Sequence, residues 1–248
     1  MKHLIYSVLK ELKRMLSPHK FRGAYATREE AIAAVRPGML VGYDNDAVVN
    51  VSLETMSKVA LLDYPVLYWL KRLGPICVLD AGGHVGTKFR AFKNHLDLDN
   101  NIIWVVYDVP AVVRAGRSLA ASENLPRLSF IDDLAEAPNA DVLLASGLLQ
   151  YLDIPFTELL GRLPVLPRHL VINKVATREG ETVVTLENFG CAEVPYQIRN
   201  REEFETSLRS LNYEIVDEWI IPSFSHTIPH HSQLGASTSR GYYARLRS

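Results

Sequence analysis

Cys77-Val78-Leu79-Asp80-Ala81-Gly82-Gly83-His84-Val85-Gly86 is the stretch on which the reading of this chain turns. A short apolar run leads into a glycine-rich turn, and a helical stretch opens near Thr87. Glycines let a strand end in a tight turn whose backbone can approach a ligand closely. The dinucleotide-binding spacing Gly-x-Gly-x-x-Gly does not fit this register, and Asp80 closes the strand with a negative charge. A carboxylate in that position repels a pyrophosphate and suits a ligand that carries an amino group.

Outward from the turn, short apolar runs alternate with helical stretches, the pattern of a doubly wound α/β sheet. It predicts seven strands, at 76–79, 102–107, 128–131, 141–145, 169–174, 213–221 and 242–246. Only a polar loop, 222–240, separates the last two, so they should pair antiparallel at the sheet's edge. Upstream, Leu4, Ile5, Val8, Leu9, Leu12, Met15 and Leu16 recur at helical spacing with basic residues between them. This amphipathic helix ends near Ser17-Pro18 and can pack on the body, on a second subunit in a homodimer, or on a membrane surface. Residues 21–25 read as a loop, and Thr27 with Glu30 form a capping box for a short helix that Pro37-Gly38 stops. Two helices are expected over 51–73, with Pro65 as the break. The chain thus divides into an N-terminal helical segment, 1–73, and a ligand-binding domain, 74–248.

With 48% hydrophobic and 22% charged residues, the 248-residue chain has the balance of a globular protein. A formal net charge of −1 with interspersed signs provides no general attraction for nucleic acid. Two distant cysteines, Cys77 and Cys191, indicate neither a disulfide framework nor a zinc site, which fits a cytoplasmic setting. No run is long and apolar enough for a membrane span.

The Asp80–Gly86 segment resembles motif I of class I S-adenosylmethionine (SAM)-dependent methyltransferases, Asp/Glu-x-Gly-x-Gly-x-Gly. Tyr107-Asp108-Val109-Pro110 is similar to the second-strand end of their small-molecule O-methylating members. The resemblance implies a Rossmann-like sheet with a reversed last strand and SAM as cofactor, cradled by Asp80, Ala81, Gly82, Gly83, His84 and Gly86. His84 departs from the pattern: it stands at the middle glycine, so the backbone must avoid positive φ or accept strain, and the cofactor must clear an imidazole. Asp108, with Val109 beside it, is placed to accept the ribose hydroxyls, although a strand-ending Asp before a proline also serves as a helix cap. In the family a residue at the third strand's end contacts the adenine amino group; Asp132 is preferred over Asp133, the alternative being a solvated turn. After the fourth strand, Ser146-Gly147-Leu148-Leu149-Gln150-Tyr151 is similar to motif IV, which makes Ser146, Gly147 and Gln150 cofactor-side candidates, while Tyr151 can equally be core.

A bacterial methyltransferase group associated with surface-polysaccharide genes resembles the chain more closely. The shared features are Phe21-x-Gly23-x-Tyr25, Gly42-Tyr43-Asp44, Gly82-Gly83, Leu149-Gln150-Tyr151-Leu152, Pro195-Tyr196 and Asn200-Arg201-x-x-Phe204. This implies O-methylation of a small-molecule or glycan-type acceptor. Methyl transfer relies mainly on positioning, and a general base is needed only for a poorly acidic hydroxyl. Candidates for the acceptor side are Tyr196, His226, His230 and His231, with Tyr43 and the strand-ending Asn173 nearby in the reading; no carboxylate or cysteine stands beside the histidines in sequence, so no metal is expected. The competing readings are a nicotinamide-dependent oxidoreductase, disfavoured by the glycine register and Asp80, and a catalytically silent methyltransferase-like binding domain.

Overall fold

The computed structural model describes residues 20–41, 57–96, 102–190 and 192–247. The expected helix at 1–16, the Gly42-Tyr43-Asp44 element and Cys191 lie outside the described residues. All seven expected strands form: β3 (Cys77–Ala81), β4 (Ile103–Tyr107), β5 (Leu128–Ile131), β6 (Val142–Ser146), β7 (His169–Arg178), β10 (Tyr213–Ile220) and β11 (Thr238–Leu246). They pair in the order β5-β4-β3-β6-β7-β11-β10. The strands from β5 to β7 run parallel, and β11 is inserted antiparallel between β7 and β10. The reversed last strand is therefore present, one place in from the edge.

Successive residues on a strand point to opposite faces. Leu79, Ala81, Leu143 and Ala145 pack with α5 (Phe156–Gly161) and α6 (Arg201–Ser210) on one side. Val78, Trp104, Val106, Val142 and Leu144 pack on the other, with α2 (Tyr64–Leu73), α3 (Thr87–Leu96) and α4 (Pro110–Ser122). Buried on both faces, these strands had to be written as near-continuous apolar runs. Pro65 stands in the first turn of α2, where its missing N–H costs no hydrogen bond, and a 3₁₀ turn, Leu61–Asp63, precedes it; residues 51–56 of the expected first helix lie outside the described residues.

The remaining strands were not expected. β1 (Phe21–Tyr25) is a strand and not a loop; it pairs antiparallel with β8 (Val183–Asn188), which pairs antiparallel with β9 (Ala192–Asn200). β2 (Leu40–Val41) runs parallel to β9, and β9 joins β7 only at Thr177↔Arg199 and Arg178↔Asn200. Buried Glu193 on β9 ties this layer together: Arg22 of β1 and Arg36 each reach it at 2.8 Å. The helix α1 (Arg28–Ala33) is capped as the sequence implies, with Thr27 Oγ1 accepting from the Glu30 N–H at 3.2 Å.

Candidate cofactor cradle and active site

The turn after β3 is built around residues that cannot be enlarged. A Cβ on Gly83 would stand 2.5 Å from Asp80 Oδ2, one on Gly82 2.9 Å from Leu148 Cδ1, and one on Gly86 2.7 Å from Leu128 Cδ2. Gly82 and Gly86 also have φ of 71° and 84°. His84 takes the strained alternative, at φ 57°, and its N–H donates to Asp108 Oδ2 at 2.9 Å, which offsets the strain. His84 is only 7% exposed, so its imidazole packs within the protein. Burial pushes the ring's pKa down, which keeps it neutral. Arg90 of α3 donates to the Val85 and Gly86 carbonyls and pairs with Glu123, clamping the turn from behind.

Asp80 and Ala81 are fully buried beneath the turn. Asp80 Oδ2 accepts from Trp104 Nε1 at 3.0 Å, while Oδ1 has no partner among the described residues. Burial pushes its carboxyl up to about 7, with the Trp104 bond and the Lys88 charge acting in the opposite direction. Asp80 is thus the floor of the turn. Asp108, half-buried at the end of β4, is held by the His84 and Val109 N–H groups, and Val109 is the N-cap residue of α4. Beyond β5, Asp133 caps a 3₁₀ turn by accepting from Ala135 N at 2.9 Å, whereas exposed Asp132 has no partner among the described residues.

At the end of β6, Ser146 leads to Gly147, at φ 85°, and buried Gln150, whose Oε1 has no partner among the described residues. A Cβ on Gly147 would lie 3.4 Å from Lys174 Cδ and 4.0 Å from Lys174 Nζ. Lys174 was missed by the sequence reading, which ended the strand there. The β7–β11 register passes from Val175↔Arg240 to Ile172↔Tyr242, so Asn173 and Lys174 together oppose Gly241 in a β-bulge. Lys174 takes φ 61° in this bulge. Its Nζ lies over the Phe224 ring at 5.8 Å, and no hydrogen bond or ion pair holds it among the described residues. Burial pushes the amine down to about 8, helped by the nearby Lys88 charge and opposed by Asp63. Lys88 and Asp63 form a buried ion pair at 2.7 Å.

Asn173 is spoken for: its Oδ1 accepts from Trp219 Nε1 at 3.0 Å and its Nδ2 donates to the Leu62 carbonyl at 3.1 Å. Tyr196 and His226 do come together, both 4.9 Å from the Phe21 ring, in a cluster that also holds Tyr151. His226 is half-buried, with its pKa pushed down by burial and by Lys20. His230 is exposed at φ 64°, and His231 precedes the 3₁₀ turn at Ser232–Leu234. No grouping of these side chains could hold a metal among the described residues.

No protein-family model and no curated protein matches the chain. Solved structures do. The 1,6-didemethyltoxoflavin-N1-methyltransferase of Burkholderia thailandensis, with 1,6-didemethyltoxoflavin and S-adenosylhomocysteine bound, is similar at TM-score 0.51 and 20% identity over 80% of this chain and 79% of that one. The fold is that of the SAM-dependent methyltransferases. The mitomycin 7-O-methyltransferase (TM-score 0.51, 17% identity) is matched over 82% of this chain and 56% of that one. Human N-acetylserotonin methyltransferase, in complex with SAM, is matched at TM-score 0.51 and 14% identity over 83% and 58%. The chain spans a little over half the length of these two proteins. Within a methyltransferase fold, the Asp80–Gly86 turn, Asp108, Asp132 and Gly147 all lie at the carboxyl ends of parallel strands, where open α/β sheets bind ligands. No helix among the described residues is long and apolar enough to cross a membrane.

Proposed function

We propose that the chain is a SAM-dependent methyltransferase that acts on a hydroxyl of a small-molecule or glycan-type acceptor. The observation that carries this reading is the carboxyl edge itself: the tightly packed glycine turn after β3 is tied through the His84 N–H to a backbone-anchored, half-buried Asp108 at the end of the neighbouring strand β4. Gln150 Oε1, without a partner among the described residues, fits a polar ligand lying across this edge. SAM, when bound, supplies a sulfonium methyl that passes to the acceptor by in-line displacement. Asp108 accepts the ribose hydroxyls, and exposed Asp132 accepts the adenine amino group while Asp133 stays on its cap. Ser146, Gly147 and Gln150 line the methionine end. Asp80, Ala81, His84 and Val109 shape the turn from behind. Lys174, above Gly147, accepts the acceptor's proton when its amine is neutral.

Tyr196 and Phe21 are buried in their cluster, so Tyr196 supports the acceptor side from beneath, while half-buried His226, with His230 and His231 farther along the same loop, is left to face an acceptor. On this reading residues 74–248 hold the cofactor and 1–73 help cover the acceptor side. A cytoplasmic role in surface-polysaccharide assembly is what the sequence resemblance suggests for it.

Removing the Asp108 carboxylate deprives the cofactor of charge-assisted hydrogen bonds of about 1.5–3 kcal/mol each. Asp108→Ala is therefore expected to raise KM for SAM at least tenfold, measured by S-adenosylhomocysteine release in the presence of hydroxyl-bearing acceptors. An unchanged KM in folded Asp108→Ala would reduce the carboxylate to an anchor for the His84 turn.

A further inference from the structure

A second cleft lies away from the glycine turn, between α5 and α6 on one side and β8, β9 and the start of α1 on the other. Its volume is about 330 Å³, within the range of small-molecule sites, and it shares no lining residue with the turn, Asp108, Gly147 or Lys174. Strand alternation explains how it is lined. Tyr196 and Ile198 of β9 face the Phe21 cluster, so Gln197 and Arg199 face the other way, into the cleft. Phe156 and Phe204 line it with apolar surface.

Arg199 is 8% exposed, and its Nη1 is buried with no hydrogen-bond partner among the described residues. Among the described residues no carboxylate pairs with it: Asp153 and Glu203 border the cleft, but both are exposed and neither reaches the guanidinium. Arginine is almost never buried unless paired, because an isolated buried cation loses its hydration without compensation. No described side chain supplies that compensation, and the open cleft beside the guanidinium gives a ligand access to it. A guanidinium presents a planar fork of N–H donors that matches the paired oxygens of a carboxylate or phosphate. Half-buried Arg28, also in the lining, adds a second cation.

We propose that this cleft binds a small ligand bearing a carboxylate or phosphate group, held by the Arg199 guanidinium. Burial lowers that group to about 10, which leaves it charged at neutral pH. None of the methyl-transfer residues takes part, so the site stands or falls independently of the proposed activity.

Calorimetric titration of the full chain with inorganic phosphate and, separately, with succinate tests it. Saturable binding of one of the two is expected, weakened by added salt; preference for phosphate assigns a phosphate ester, and preference for succinate a carboxylate. Arg199→Gln should weaken binding at least tenfold. Gln197→Glu, on the same face of β9, gives Arg199 a partner within the chain; it should also weaken binding at least tenfold while raising Tm, which keeps the test intact if Arg199→Gln does not fold. No saturable binding of either probe, or unchanged affinity in Gln197→Glu, overturns the proposal.

Discussion

Lys174→Met is expected to make the protein more stable and less active. Folded Lys174 has its pKa lowered from 10.5 to about 8. At pH 7 the amine is charged in both folded and unfolded chains, and the folded state carries the whole cost of burying it, about 3 kcal/mol. As pH rises through 8 the folded chain releases this proton while the unfolded chain keeps it to 10.5, so stability rises across that window and the difference between parent and variant closes. An apolar side chain of similar length removes the cost. On the activity side, only the neutral amine can accept a proton, so kcat/KM of the parent should climb with pH to an inflection near 8 and then level. Lys174→Met should lose that limb and about 100-fold in turnover, within the range for a removed general base. Urea unfolding at pH 7 and 10 with a pH–rate profile of both proteins checks the pair. A variant no more stable than the parent at pH 7, or one with the parent's pH profile, removes Lys174 from the account.

Asp63→Asn should have the opposite effect on stability. Lys88 is 6% exposed and its Nζ lies 2.7 Å from Asp63 Oδ1, with the second carboxylate oxygen accepting from the Ala60 N–H at 3.0 Å. Removing one partner of such a pair strands the other charge in a dry setting, at about 3–5 kcal/mol. Lys174 also loses a neighbouring negative charge, so its pKa should fall further and the rising limb of the rate profile should move to lower pH. The double variant Asp63→Asn with Lys88→Met removes both charges and should recover much of the loss. Denaturant midpoints of the three proteins measure this; a loss below about 1 kcal/mol in the single variant contradicts it.

The sheet was legible because its strands are buried on both faces, and such strands leave apolar runs like Val142–Ala145 that no other element explains as simply. The loop 222–240 was too polar and aperiodic for a crossover helix, so the antiparallel pairing of β10 and β11 followed from the sequence as well. β1 was not legible: Gly23 sits in its middle at φ 72°, and the β1–β8 register slips between Arg22 and Tyr25, so its five residues carry no alternation. β9 was hidden by Pro195, tolerated there because one edge of the strand is paired only at its two ends.

The cofactor candidates are local in sequence, each next to a strand end, which is why they could be named. Lys174 depends on a distant residue. Its aim over Gly147 comes from a bulge opposite Gly241, where the Trp219 ring leaves no room for a Cβ, and only the pairing of β7 with β11 reveals that. The one local signal was the polar pair Asn173-Lys174 interrupting the apolar run Leu170–Ala176, which reads as a strand end until the strand is seen to continue to Arg178. Arg199 is hidden for the same reason, since its burial is made by α5 and α6 closing over a strand the sequence did not disclose.

The central claim is that the turn after β3 receives an S-adenosyl ligand, and calorimetric titration of the purified chain with S-adenosylhomocysteine tests it most directly. One-site binding is expected, with NAD giving no heat under the same conditions. Folded protein that gives no heat with S-adenosylhomocysteine at millimolar concentration would contradict the account.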